Sequence, residues 1–349
     1  MNNPVFSADH LHEIVKNIFR AGGVSDAQSE AIAENMVWSE CVGRSNFGVK
    51  RIPIHLKRLK LGLLNPVANP EIKETSAGMA QIDADNAFGH FAGKIGIEKA
   101  VELAGNSGIG MVVLKRSNWY GTGAYFTKIA AEAGMISLAA SNAFPKVAAF
   151  GGASAVLGTN PFAFGAPRST GEHIMVDFAT ASLAGSTVRE LRDSGRALDE
   201  GLAVYPDGKP LTDPADLEAG ALLPFGGAKG FGVALLVEIL AGVISGSGFS
   251  ETVNSTYSNF DDISNSGHCL IAIDVQKLMP LDVYFARLET LVQILKTSGS
   301  QDHTVRLPGE VRWQTLSQNT KNGIRLSDAS FQGLARSADE FNVEITMPT

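Results

Sequence analysis

The 349-residue chain reads as a mixed α/β protein. Its first 75 residues carry apolar side chains at helical spacing. Beyond Ala77, short strand-like apolar runs alternate with amphipathic helical ones. No internal repeat, heptad array or low-complexity tract interrupts that alternation.

Each element has a local reason. Ser7 stands ahead of Leu11, Ile14, Val15, Ile18 and Phe19, a helical stripe with a hydroxyl at its start. Ser25 and Gln28 have the spacing of a capping box, which predicts a second helix running toward Cys41. Arg51 to Leu64 reads as a basic amphipathic segment with Lys57, Arg58 and Lys60 on a solvated face. Asn65-Pro66 and Asn69-Pro70 close it. Ala80–Asp83, Gly110–Leu114, Ile136–Ser141, Ile174–Phe178 and Leu270–Asp274 then read as strands. Lys94–Ala104, Thr122–Ala133, Gly230–Ile244 and Leu281–Lys296 read as helices, and Ser327 caps a last short one. The pattern leaves strand order open.

Composition narrows the function. Hydrophobic residues make up 44% of the chain, enough for a large core. The net charge of −7, from 29 basic and 36 acidic residues, argues against a nucleic-acid partner. A small anionic substrate needs only one or two local cations. The two cysteines, Cys41 and Cys269, lie too far apart in sequence for a Cys-x-x-Cys pair, so neither a disulfide framework nor a thiolate zinc site is expected. His10, His12, His55, His173, His268 and His303 read as structural or exposed, and no metal is expected. Asp9, His10, Glu13 and Lys16 break the apolar character that a secretory leader needs. Phe231 to Ser245 is interrupted by Glu238 and is too short to span a bilayer. The expected location is the cytoplasm, with no membrane partner.

No Gly-x-Gly-x-x-Gly follows a strand. Gly121-Thr122-Gly123 comes near, with Phe126 where the third glycine belongs, and Phe225-Gly226-Gly227-Ala228-Lys229-Gly230 only hints at a phosphate loop. Each is a glycine-rich loop entering a helix, which presents backbone N–H groups and a positive dipole end to an anion. Lys229 adds a charge there. The alternative is a tight turn with a solvated lysine.

Longer motifs follow one another along nearly the whole chain. They are Gly43, Gly48 and Arg51; Ser117-Asn118-Trp119-Tyr120-Gly121, then a helix with Tyr125; Asn142, Pro145, Val147 and Gly151-Gly152; Gly158 through Pro167; Asp177-Phe178-Ala179-Thr180; Leu223 through Gly230; and Arg306-Leu307-Pro308-Gly309. In this order they resemble the malate/L-lactate dehydrogenase-like oxidoreductases. Within that family, Gly220-Ala221-Leu222-Leu223-Pro224-Phe225-Gly226-Gly227 looks most like the Δ1-piperideine-2-carboxylate/Δ1-pyrroline-2-carboxylate reductases. The resemblance implies a non-Rossmann NAD(P)-binding domain around a largely antiparallel sheet, residues 76–299. It also implies a helical substrate and dimerisation domain from residues 1–75 and 300–349, in a homodimer. It implies hydride transfer between NADPH, or alternatively NADH, and C2 of a small 2-oxo, 2-hydroxy or imino acid. Carried over, cofactor contacts fall on Trp119, Tyr120, Gly121, Thr122, Gly123, Thr159, Asp177, Phe178, Ala179, Lys229, Arg306, Pro308, Gly309 and Arg312. Arg51 takes the substrate carboxylate, a task suited to a planar fork of donors, with Asn46, Phe47 and Thr159 beside the substrate.

The chain departs from the family where protons are handled. The family's Ser-His pair reads Asn46-Phe47, its second histidine reads Trp119, and the acid of the reductase subgroup reads Thr187, beside Ser186. Neither Phe nor Trp can protonate a developing alkoxide. Three readings follow. A relocated acid serves a 2-hydroxy acid dehydrogenase, with Tyr120, Lys146 and His90 as candidates. Or the substrate is a cyclic imine that arrives protonated, with Trp119 facing its charge. Or the protein is a cofactor-binding pseudoenzyme.

Overall fold

The computed structural model describes residues 4–300 and 303–346. The chain opens with β1 (Val5–Phe6), α1 (Ala8–Ala21), α2 (Asp26–Cys41) and α3 (Ile52–Lys60). The expected stripe of α1 is its buried face, and Ser7 accepts from His10 N at its start. The capping box is not formed. Ser25 makes no side-chain cap; Gln28 is fully buried and ties three segments together instead. Its amide donates to Asn65 O and Pro66 O and accepts from Phe88 N. The solvated face of α3 also needs correcting. Arg58 is buried and donates to the carbonyls of Asn259 and Asp262.

The middle of the chain builds β2 (Glu71–Ser76), β3 (Met79–Asp83), α4 (Gly89–Ser107), β4 (Ile109–Ser117), α5 (Gly123–Glu132) and β5 (Met135–Ser141). Then come β6 (Val147–Ala148), β7 (Ala155–Leu157), β8 (Phe162–Ala166) and β9 (Ile174–Phe178). After α6 (Gly185–Asp193), β10 (Ala203–Val204) and β11 (Ala221–Leu222) come α7 (Ala228–Glu238), β12 (Ser266–Asp274), α8 (Leu281–Thr297), α9 (Glu310–Asn322), β13 (Ile324–Arg325) and α10 (Asp328–Glu340). The main sheet has the order β2-β3-β4-β12-β5-β8-β9, antiparallel throughout except for β3 beside β4. A small sheet, β10-β11-β6-β7, stands apart. The helix expected through Ile244 stops at Glu238 and continues as one π turn, Ile239–Val243. A Cβ on Gly242 would meet Asn142, Phe249 and Gly248 at about 3 Å, so backbone is packed against that turn.

Two apolar cores account for the layers. Both chain ends make one of them: Phe6, Leu11 and Phe19 pack with Ile52, Ile324 and Leu334. The main sheet and its covering helices make the other, where Ile82, Val112 and Leu270 meet Ala92, Ile97 and Phe126. Among the described residues no helix is long and apolar enough to cross a membrane.

Candidate active site

Arg51 is placed by the loop before α3. Buried Glu40 accepts from Ser45 Oγ and Val49 N, and Gly48 lies so close that a Cβ there would overlap the Glu40 carboxylate. Burial raises the Glu40 pKa. The turn brings the Asn46 carbonyl to 2.7 Å from Arg51 Nε, fixing the plane of the guanidinium. Neither terminal nitrogen of Arg51 meets a protein acceptor among the described residues. Burial lowers the Arg51 pKa; Tyr257 opposes this and the charge of Arg189 adds to it.

Trp119 is the common neighbour of four groups. Arg51 Cζ lies 5.8 Å from its ring centre, and Phe47 stacks parallel to it at 6.0 Å. His55 and His90 approach at 5.4 and 5.3 Å. The loop carrying Trp119 is held tightly. Gly89 presses against the carbonyls of Asn118 and Trp119, where a Cβ cannot fit, and Gly121 turns at φ +83° beside Asn35 Oδ1. His55 and His90 contact each other, are fully buried, and make no hydrogen bond through any ring nitrogen. Burial pushes the His90 pKa down to about 3. Burial, followed by the charges of His90, Arg51 and Arg58, holds His55 well below its usual range. Both are neutral imidazoles.

Of the other expected site residues, Thr122, Asp177 and Arg312 meet at the start of α5, and the rest are dispersed. Tyr120 lies in the core, 2% exposed, stacked on His268 with its hydroxyl unpartnered. Burial raises its pKa, the wrong direction for an acid. Lys146, in the run leading into β6, pairs with Glu218 at 2.8 Å and reaches over Phe144, whose ring meets Tyr257. The start of α5 is not open to an anion as expected. Asp177 occupies it, accepting from Thr122 Oγ1 at 2.5 Å and Ala124 N at 3.1 Å, with Arg312 at 3.8 Å. Thr159 gives its carbonyl to Thr180. Phe178 is partly exposed against Phe225, Ala179 is half-buried, and Arg306 and Pro308 are exposed. Gly309, at φ +101°, opens α9, and Thr187 rides on α6.

The second glycine-rich loop behaves differently. Gly151-Gly152 and Leu223–Gly227 line one cavity of about 590 Å³, within the usual range for a small-molecule pocket. Helix α7 begins there. Its first N–H groups, Ala228 and Lys229, meet no protein acceptor among the described residues, and the Lys229 side chain is exposed beside them. That donor set and opening fit a dinucleotide phosphate.

Two residues escaped the sequence reading. Glu238 appeared only as a break in an apolar run. It is buried, accepts from Asn160 Nδ2 and Ser250 N, and so pins Asn160 at φ +31° in the turn before β8. Tyr257 sits in a loop rich in Ser, Asn and Asp where no motif marks it. An aromatic in so polar a loop was the available signal.

An arginine with free terminal N–H groups beside stacked aromatics suits a small carboxylate. Likeness to known proteins makes this specific. Residues 6–335 match the malate/L-lactate dehydrogenase family. The chain is 31% identical to the malate/(S)-sulfolactate dehydrogenase of Methanothermus fervidus, over 98% of this chain and 99% of that protein. It is 32% identical to the Delta(1)-pyrroline-2-carboxylate/Delta(1)-piperideine-2-carboxylate reductase of Pseudomonas syringae pv. tomato, over 94% of each. The solved sulfolactate dehydrogenase of Methanocaldococcus jannaschii superposes with a TM-score of 0.90 at 29% identity, covering 98% of each chain. The chain belongs to the malate/L-lactate dehydrogenase family and is an NAD(P)-dependent oxidoreductase.

Proposed function

We propose that the protein is an NAD(P)H-dependent reductase of a small 2-imino or 2-oxo acid, working better on C=N than on C=O. The observation that carries this is the set of groups around Trp119: beside the free face of Arg51 stand an indole and a phenyl ring, and the nearby imidazoles are neutral. Arg51 holds the C1 carboxylate through its terminal N–H groups, while its bond to Asn46 O sets the carboxylate's plane. Phe47 and Trp119 present a flat apolar wall that orients C2 and excludes water. The cofactor, when bound, supplies hydride. A phosphate is held by the start of α7 and Lys229, with NADPH preferred and NADH the alternative. An iminium needs no proton in the step, so the lost donors cost it little. The indole face also favours its charge.

The exposed apolar face of α7 and the turn after it, Leu235, Leu236, Ile239, Val243 and Ile244, supports a homodimer. The test of the reaction is NAD(P)H oxidation with a cyclic imino acid and with its open-chain 2-oxo analogue, in native protein and in Trp119→His. The imine should be the better native substrate. The new histidine should raise ketone turnover by about 10²-fold or more while moving imine turnover little. Fast native 2-oxo acid reduction with no imine activity sinks this reading and favours a relocated acid.

A further inference from the structure

Two aromatic rings approach the Arg51 guanidinium. The Trp119 ring centre lies 5.8 Å from its Cζ, and that of Tyr257 lies 5.1 Å away. We infer that Tyr257 is the proton donor to the imine nitrogen of the substrate. The inference rests on the reading of Arg51 above and adds a residue to it: a carboxylate on the fork of Arg51 sets C2 and its nitrogen beside these two rings. An iminium that arrives protonated needs nothing from Tyr257. Above the imine's own pKa the substrate arrives neutral, and its nitrogen takes the phenolic proton. The O–H bond breaks, an N–H bond forms, and a phenolate remains. Hydride then adds to C2, the C=N π pair moves to nitrogen, and the phenolate regains a proton from water. The sum is one imine, one hydride and one proton giving one amine. A carbonyl oxygen is far less basic than an imine nitrogen, so the same phenol does not activate it in this way.

Three observations support it. The first is a free hydroxyl. Tyr257 is half-buried, and its hydroxyl meets no protein partner among the described residues and stays open to solvent. The hydroxyls of Tyr125 and Tyr205 are spent on Glu34 at 3.0 Å and Asp216 at 2.6 Å. The second is charge. The Tyr257 ring centre lies 6.0 Å from Arg189 Cζ as well, so the phenolate left by proton transfer stands near two guanidiniums. Tyr257 already opposes the fall that burial imposes on the Arg51 pKa. Lys146, paired with Glu218, reaches over Phe144, whose ring meets Tyr257. Asp261 and Asp262 lie on the tyrosine's own loop.

The third is placement. The groups that the sequence offered as donors are spent elsewhere. Tyr120 is stacked on His268 in the core, His90 is fully buried with its pKa pushed down to about 3, and Lys146 is paired with Glu218. Tyr257 stands on a loop that is tied down. Its N–H donates to Ser255 Oγ at 3.2 Å, and Asn259 Nδ2 donates to Asn254 Oδ1 at 3.1 Å. Arg58 holds the same loop through Asn259 O at 2.7 Å and Asp262 O at 3.1 Å. A donor on so fixed a support needs no reorganisation when the substrate enters.

The test compares two substrates in the native chain and in Tyr257→Phe, which keeps the ring and loses only the hydroxyl. One is a six-membered cyclic 2-imino acid; the other is its N-methyl iminium, whose charge is permanent and needs no proton. At a pH where the free imine is neutral, Tyr257→Phe should lower kcat on the imine by about 10²-fold or more, with KM little changed. The N-methyl iminium should move less than about threefold in the same variant. As pH falls and the imine arrives protonated, the loss should shrink. Circular dichroism establishes that the variant folds. A second readout needs neither cofactor nor turnover. The ¹⁵N-labelled imino acid, bound to the native chain at the same pH, should show the nitrogen shift of an iminium, and in Tyr257→Phe that of a neutral imine. Equal loss on both substrates makes Tyr257 a structural support and overturns the inference. So does undiminished imine turnover in Tyr257→Phe, a neutral imine bound to the native chain, or no binding at all. Native imine turnover that survives in Tyr257→Phe leaves the reductase standing and removes the donor alone. A bound iminium that is lost in Tyr257→Phe, with no turnover on any acid, sinks the reductase and leaves the donor.

Discussion

Acid should destabilise this protein well before its carboxylates titrate, because it buries neutral histidines. His268 lies between β4 and β5, bonded to Ser141 Oγ at 2.9 Å and Ser117 Oγ at 2.8 Å, with its ring on Tyr120. Burial pushes its pKa down to about 3, as it does for His90. A depressed folded pKa stabilises the fold above the unfolded value and loses that contribution as pH falls toward the folded one. Going from about pH 7 to about pH 5, each such histidine withdraws about 2 kcal/mol, so His90 and His268 together withdraw about 4 kcal/mol. His55 adds to this in the same direction. Against a native stability of about 5–15 kcal/mol, that is a large fraction. Glu40 and Glu98 run the other way: their pKa values are raised, so they favour the fold as pH falls. Urea unfolding at steps between about pH 7 and pH 5 should show the free energy falling by several kcal/mol. His268→Gln, which keeps a donor and an acceptor between the serines, should remove one proton from the slope, about 1.4 kcal/mol per pH unit. A flat profile, or an unchanged slope in His268→Gln, would refute the reasoning.

Two further outcomes can be checked directly. Tyr257→Phe keeps an aromatic face between Arg51 and Arg189 but removes the hydroxyl, so binding of acids should hold within about threefold; a collapse of kcat alone would make Tyr257 the missing proton donor. Leu236→Glu on the exposed face of α7 should shift sedimentation from dimer to monomer at micromolar protein, and a native chain that sediments as a monomer refutes the dimer.

The sequence announced its elements wherever one face is apolar. The stripe of α1 and the alternation of β3 and β4 are textures that burial imposes, and the structure returns them. Elements held by other means were silent. β2 is exposed along its whole length and exists because it pairs with β3. β8 lay hidden inside the motif from Gly158 to Pro167, whose residues serve both a strained turn and a strand. Gln28 and Arg58 misled because polar side chains were read from their neighbours in sequence. Their partners stand 38 and 201 residues away.

The same distinction separates what a motif transmits from what it does not. Asn160, Thr180 and Asp177 belong to the motif segments that match the family, Glu238 lies outside them, and each is spent on holding backbone. Asn160 and Glu238 bond each other, Thr180 Oγ1 donates to the Asn160 carbonyl, and Asp177 closes the start of α5. These bonds fix where the turns of the cleft lie, whatever substrate enters. Of the residues that depart from the family, Phe47 and Trp119 stack on each other, and Trp119 lies against Arg51. A change from imidazole to indole at one such position leaves every backbone bond of the scaffold intact and alters only the chemistry at the opening. The scaffold therefore follows from the shared motifs, and the preference for C=N or C=O must be argued from the pair of rings beside Arg51.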